Sequence, residues 1–156
     1  MKRRKEGFTL IELLIVMAVI AALMGALVPV ALNAINHANA TRVAENMRSL
    51  LTAAQQYAYT DHVIPSIGTI KSKNLVTGKL NADDYAIVYA IPGGNLTEIS
   101  SNTTWPSGNP TAVTIGVAYK SGISAADIHK VWSSATKTSA VSGYDVVATT
   151  TIAAYW

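Results

Sequence analysis

No cysteine occurs anywhere in the 156 residues. Disulfides, thiolate metal sites and thiol nucleophiles are therefore excluded. Local signatures of catalysis are equally scarce: there is no phosphate-binding loop, no G-x-S-x-G and no H-E-x-x-H. His37, His62 and His129 are far apart and lack ligand spacing, so no metal, no cofactor and no enzyme activity is expected. Asp83 and Asp84 read as a solvated turn, a calcium site being the lesser option. The net charge of +3 is local. Lys2, Arg3, Arg4 and Lys5, offset by Glu6, lie before Gly7, and the remaining eight basic and eight acidic side chains cancel. A neutral body gives no basic groove for nucleic acid, which is not an expected partner.

Charge is also missing from one long stretch. From Phe8 to Leu32 the only polar side chains are Thr9 and Glu12. As a helix these residues would extend roughly 37 Å at ~1.5 Å per residue, enough for a ~30 Å hydrocarbon core. The bases ahead of them predict a cytoplasmic N-terminus. A plain signal anchor or a cleaved signal peptide is one reading, and Ala38-Asn39-Ala40 fits an A-x-A cleavage pattern. Against it, the run exceeds a usual signal-peptide core of 7 to 15 residues. It also contains Glu12 only five residues in, a carboxylate that a simple anchor does not need.

Helical periodicity continues beyond the apolar run. Ile35, Val43, Met47, Leu50, Leu51, Ala54 and Ala58 recur near one face, with Asn36, Arg42, Glu45, Arg48 and Gln55 among the polar remainder. The helix is expected to end near Thr60, before Ile64-Pro65. Expected divisions are a leader at 1–7, an apolar helix half at 8–32, an amphipathic half at 33–60 and a β-rich head at 61–156.

Within the head, 65–75 reads as a short helix or loop. Tyr85 to Ile91 reads as a strand ended by the Pro92-Gly93-Gly94 turn, with Leu96 to Ile99 pairing back. Ser100 to Pro110 reads as loop, Ala112 to Tyr119 as a strand, and Tyr144 to Ile152 as another extending toward Trp156. Between the last two strands, Ser124 and Asp127 have capping-box spacing, Ile123 and Ile128 the positions of a hydrophobic staple, and Ile128, Val131, Trp132 and Ala135 an apolar stripe. Trp132 is read as core, and Trp105 and Trp156 as head packing or subunit contacts.

Gly7-Phe8-Thr9-Leu10-Ile11-Glu12-Leu13-Leu14-Ile15-Val16, behind a short basic leader, resembles the signal of bacterial type IV pilins and pseudopilins. The resemblance implies an α+β, pilin-like fold with a long N-terminal helix packed on an antiparallel sheet. It implies cleavage by a prepilin peptidase between Gly7 and Phe8, and N-methylation of the new Phe8 amine. Glu12 of an incoming subunit would then meet the Phe8 amine of a neighbour and set axial register; the alternative is that Glu12 neutralises its own helix N-terminus. Pro29, with Gly25 one turn before it, marks a kink or a place where the helix extends in the filament. Implied partners are other copies of the chain, the assembly ATPase, the platform protein and minor pilins. The implied location is the inner membrane as a single-pass precursor, then an extracellular pilus. A pseudopilin of a secretion or DNA-uptake system is the alternative within the family, and a non-polymerising anchored binding protein the alternative outside it.

Overall fold

A computed structural model describes residues 7–76, 80–106, 111–120 and 122–153. The leader before Gly7, residues 107–110 of the expected loop, and Trp156 lie outside the described residues. The chain divides into two compact units, Met1–His37 and Ala38–Trp156. The expected division at 32 and 33 follows composition, whereas this one follows packing.

Helix α1 spans Leu10–Asp61 and includes Pro29. In the first unit every described residue is exposed, from Gly7 through His37. From Phe8 to Leu32 the side chains are apolar on nearly all faces, Thr9 and Glu12 excepted, so no stripe singles out an inner side. Near its N-terminus α1 is long and apolar enough to cross a membrane.

The second unit begins within the same helix, where the apolar residues condense into a stripe. Ala40, Val43, Ala44, Met47, Leu50, Leu51, Ala54 and Ala58 are buried. This half of α1 packs against a five-stranded antiparallel sheet. Its strands are β2 (Tyr85–Ala90), β3 (Thr97–Glu98), β5 (Ala112–Tyr119), β6 (Ala135–Lys137) and β7 (Val146–Ala153), in the order β3-β2-β5-β7-β6. Tyr85 pairs with Tyr119 and Ala90 with Thr114 across β2 and β5, while Ala112 pairs with Ala153 and Tyr119 with Val146 across β5 and β7.

Period-two alternation assigns the faces. Tyr85, Ile87, Val113, Ile115, Val117, Val146, Ala148 and Ile152 join the helix in the main core. Ala86, Val88, Ala118 and Val147 face the other way and are covered by Val141, with Leu96 and Tyr144 at the margin. The three central strands are thus buried on both faces over much of their length, which suits their β-branched composition.

Beyond α1 the chain turns through His62, whose φ of 55° is the left-handed conformation common at helix ends. A second, two-stranded ribbon follows, joining β1 (Val63–Ile64) to β4 (Thr103–Thr104). The expected loop from Ser100 to Pro110 therefore contains a strand, too short to leave a pattern of its own. Helix α2 (Ile67–Ser72) starts at Ser66, whose hydroxyl accepts from the Thr69 amide. Asn102 Oδ1 accepts from the Ser66 amide at 3.0 Å and from the Thr69 hydroxyl, tying the ribbon to α2.

Helix α3 (Ala125–Val131) is where expected, but shorter than the apolar stripe implied: Trp132 is its C-cap and Ala135 belongs to β6. Its capping box is incomplete. Ser124 Oγ accepts from the Ala126 amide, and the Asp127 carboxylate turns forward to Lys130 Nζ at 2.9 Å. Aspartate is one methylene shorter than the glutamate that usually reaches back. Ile128 is fully buried, and Ile123, Val131 and Trp132 pack half-buried on the same core. Arg48 of α1 secures this corner, donating to the Val131 carbonyl at 3.1 Å with its guanidinium 5.3 Å from the Trp132 ring centroid. Asp83 and Asp84 lie in a 3₁₀ turn, Ala82–Asp84, where Asp84 accepts from the Asn81 amide group.

Candidate functional site

The expected site residues lie in the first unit, around the start of α1. Gly7 and Phe8 precede the helix outside regular secondary structure, and Phe8 is 89% exposed. A Cβ placed on Gly7 would meet no atom within 4 Å. Among the described residues, nothing crowds the Gly7 side of the bond to Phe8.

Thr9 and Glu12 form a reciprocal pair at the helix start. The Glu12 carboxylate accepts from the Thr9 amide and from the Thr9 hydroxyl, both at 2.8 Å, while Thr9 Oγ1 accepts from the Glu12 amide at 3.4 Å. The Thr9 carbonyl receives the Leu13 amide at 3.3 Å, closing the first turn. This is a complete capping box, with Thr9 at the N-cap and Glu12 at the third helical position. Two otherwise unpartnered amides are satisfied, and the negative charge sits at the positive end of the helix. Thr9 was not singled out from the sequence. The signal was its T-x-x-E spacing ahead of an apolar run.

The structure thus brings Glu12 against Thr9 of its own chain. In the uncut chain the Phe8 nitrogen is a peptide amide and carries no charge. Only cleavage after Gly7 would create a cation there, one residue before Thr9.

Gly25 and Pro29 lie in the middle of the exposed half of α1, and the helical assignment runs through them. Pro29 supplies no amide to the carbonyl four residues back, which is that of Gly25. Gly25 has open space where a Cβ would stand.

No group of three or more His, Cys, Asp or Glu is placed to hold a metal among the described residues. His129 Nδ1 lies 2.8 Å from the Ala135 carbonyl, joining α3 to β6.

An α+β fold with a long N-terminal helix packed on an antiparallel sheet is pilin-like. Comparison with protein families adds a match to the prokaryotic N-terminal methylation motif over residues 2–28. The chain therefore carries the type IV pilin-type prepilin signal, as its first residues suggested. That signal supports a structural, pilin-like or pseudopilin precursor, handled by prepilin peptidase and assembly machinery of this general kind. With the apolar helix it fits a membrane-anchored protein before assembly. No curated protein and no solved structure matched the chain.

Proposed function

We propose that this chain is a structural subunit of a type IV pilus-like filament. It inserts as a single-span precursor, is cut between Gly7 and Phe8, is N-methylated at Phe8, and polymerises through residues 8–32. The observation that carries the reading is the coincidence of the methylation motif with a helix segment exposed and apolar on every face. Such a segment needs an apolar environment, first lipid and then the same segment of other copies. Each subunit adds by a heterologous contact, so the polymer is open-ended.

The capping box supplies a mechanism for handling Glu12. Before cleavage, Thr9 satisfies the carboxylate within the precursor. After cleavage the chain gains a cationic amine at Phe8. Glu12 of an incoming subunit then pairs with the Phe8 amine of a neighbour, and the cost of leaving either charge alone in an apolar core fixes the register. The bend or local extension of the filament is assigned to Gly25–Pro29, where one helical hydrogen bond is already missing.

Glu12→Ala tests this reading. The expected result is at least a tenfold loss of sheared polymer, measured by sedimentation and immunoblot, with cleavage after Gly7 intact. A chain that only anchors a binding domain would show unchanged membrane localisation and have no polymer to lose.

A further inference from the structure

The second unit contains an open cleft of about 560 Å³ between the β2–β3 turn and the β4 ribbon. Its volume is in the range of small-ligand sites. Among the described residues, no charged side chain lines it. A phosphate, a carboxylate or an ammonium group would find no countercharge there.

The lining combines two aromatic rings with an amide and hydroxyls. Tyr89 and Trp105 are half-buried, rest against the main core, and line the cleft. Asn95, Thr97, Thr103 and Thr104 supply the polar groups. The Thr97 hydroxyl donates weakly to the Asn95 carbonyl at 3.5 Å, and that of Thr103 to the Ser101 carbonyl at 3.2 Å. Each hydroxyl keeps its lone pairs as acceptors, and the Asn95 amide offers both roles.

The wall that carries Asn95 is held by a tight turn. Pro92 is followed by Gly93 at φ 78°, and the Gly94 amide donates to the Ile91 carbonyl at 2.9 Å. A Cβ on Gly94 would lie 3.0 Å from Ile91 Cγ1 and 3.3 Å from its carbonyl oxygen, so a side chain there would crowd the turn. Across the cleft, Asn102 pins the ribbon to α2 through the Ser66 amide.

A ligand matched to these walls is neutral, carries many hydroxyls, and has flat C–H faces for the rings. We propose that the cleft binds a neutral saccharide. Tyr89 and Trp105 take the C–H faces of the sugar, and Asn95, Thr97 and Thr103 take its hydroxyls. The proposal does not depend on whether the chain polymerises.

The test uses the full cleaved chain in phospholipid nanodiscs, so that no sugar-headed detergent competes. Chitotriose, maltotriose and lactose are titrated as neutral probes, and 3′-sialyllactose as the charged control, with binding read by calorimetry and saturation-transfer NMR. Saturable binding of a neutral probe is expected, with the aromatic signals of Tyr89 and Trp105 perturbed. Asn95→Ala and Thr97→Ala, both exposed positions, should each weaken it about fivefold, as loss of one hydrogen bond implies, with the thermal melt unchanged. Trp105→Phe should weaken it further. The proposal is overturned if no neutral probe saturates, if the charged sugar binds best, or if these substitutions leave affinity unchanged. A cleft that instead receives a neighbouring subunit would be silent to every sugar, and that outcome also overturns it.

Discussion

The two units of this chain share one helix and differ in what its side chains meet. Through His37 every described residue is exposed, including Leu14 at 61% and Leu27 at 64%, whereas Met47 and Leu50 are fully buried. Composition and pattern change together along the helix. From Phe8 to Leu32 apolar residues cover nearly every face; from Ala40 onward they form a stripe against the sheet, with Arg42, Glu45 and Arg48 on the exposed side. A stripe can be satisfied within one chain. An all-round apolar surface is satisfied only by lipid or by other chains, which is why the first unit is where assembly is sought.

Paired truncations provide the strongest way to break this comparison. Leu50→Ala should cost the folded second unit about 2–5 kcal/mol, while Leu14→Ala should change it by less than about 0.5 kcal/mol. Denaturant unfolding followed by near-ultraviolet circular dichroism measures both. Equal losses would mean that the apolar half also supports the sheet.

A smaller effect is expected inside the sheet. A Cβ at Gly116 would lie 2.7 Å from Thr149 Cγ2, 2.9 Å from the Ala148 carbonyl and 3.0 Å from Val88 Cγ2. All three neighbours are held in paired strands, so Gly116→Ala should destabilise the unit by about 1–3 kcal/mol. Gly25→Ala, with open space around it, should leave the same unfolding curve unchanged.

The mildest contrast concerns pH. Burial is the main cause raising the Tyr85 phenol above its ordinary value of 10.0; the hydrogen bond from Asn46 pulls it down, and Tyr119 and Asp84 raise it further. Tyr119 is raised as well, chiefly by burial. The folded state therefore holds these protons more tightly than the unfolded state. The associated stability is complete below the ordinary tyrosine value and is lost as pH rises through the higher folded values. The second unit should soften in strongly alkaline solution, and Tyr85→Phe should flatten that slope; thermal melts across the alkaline range read both.

Much of this architecture was legible in the residues. The long helix, the strand Ala112–Tyr119 and the neighbouring strands over Tyr85 and Val146 follow from apolar period and β-branched runs. Strands β1, β4 and β6 did not, because segments of two or three residues take their identity from a partner rather than from a pattern. The two capping motifs are instructive together. Ser124-x-x-Asp127 has the spacing but too short an acid, and its carboxylate goes to Lys130. Thr9-x-x-Glu12 has both spacing and reach and forms the complete box, yet it is hidden inside a motif that draws attention to Glu12 alone. The cleft takes Tyr89 from the five-stranded sheet and Trp105 from just beyond the two-stranded ribbon, a juxtaposition that local sequence does not reveal.

The central claim is that the chain is cut after Gly7 and polymerised. Mass spectrometry of the N-terminal peptide from filaments sheared off native cells tests it most directly. The account predicts an abundant peptide beginning at N-methylated Phe8 in that fraction. A chain that begins at Met1, or that begins after Ala40, would contradict it.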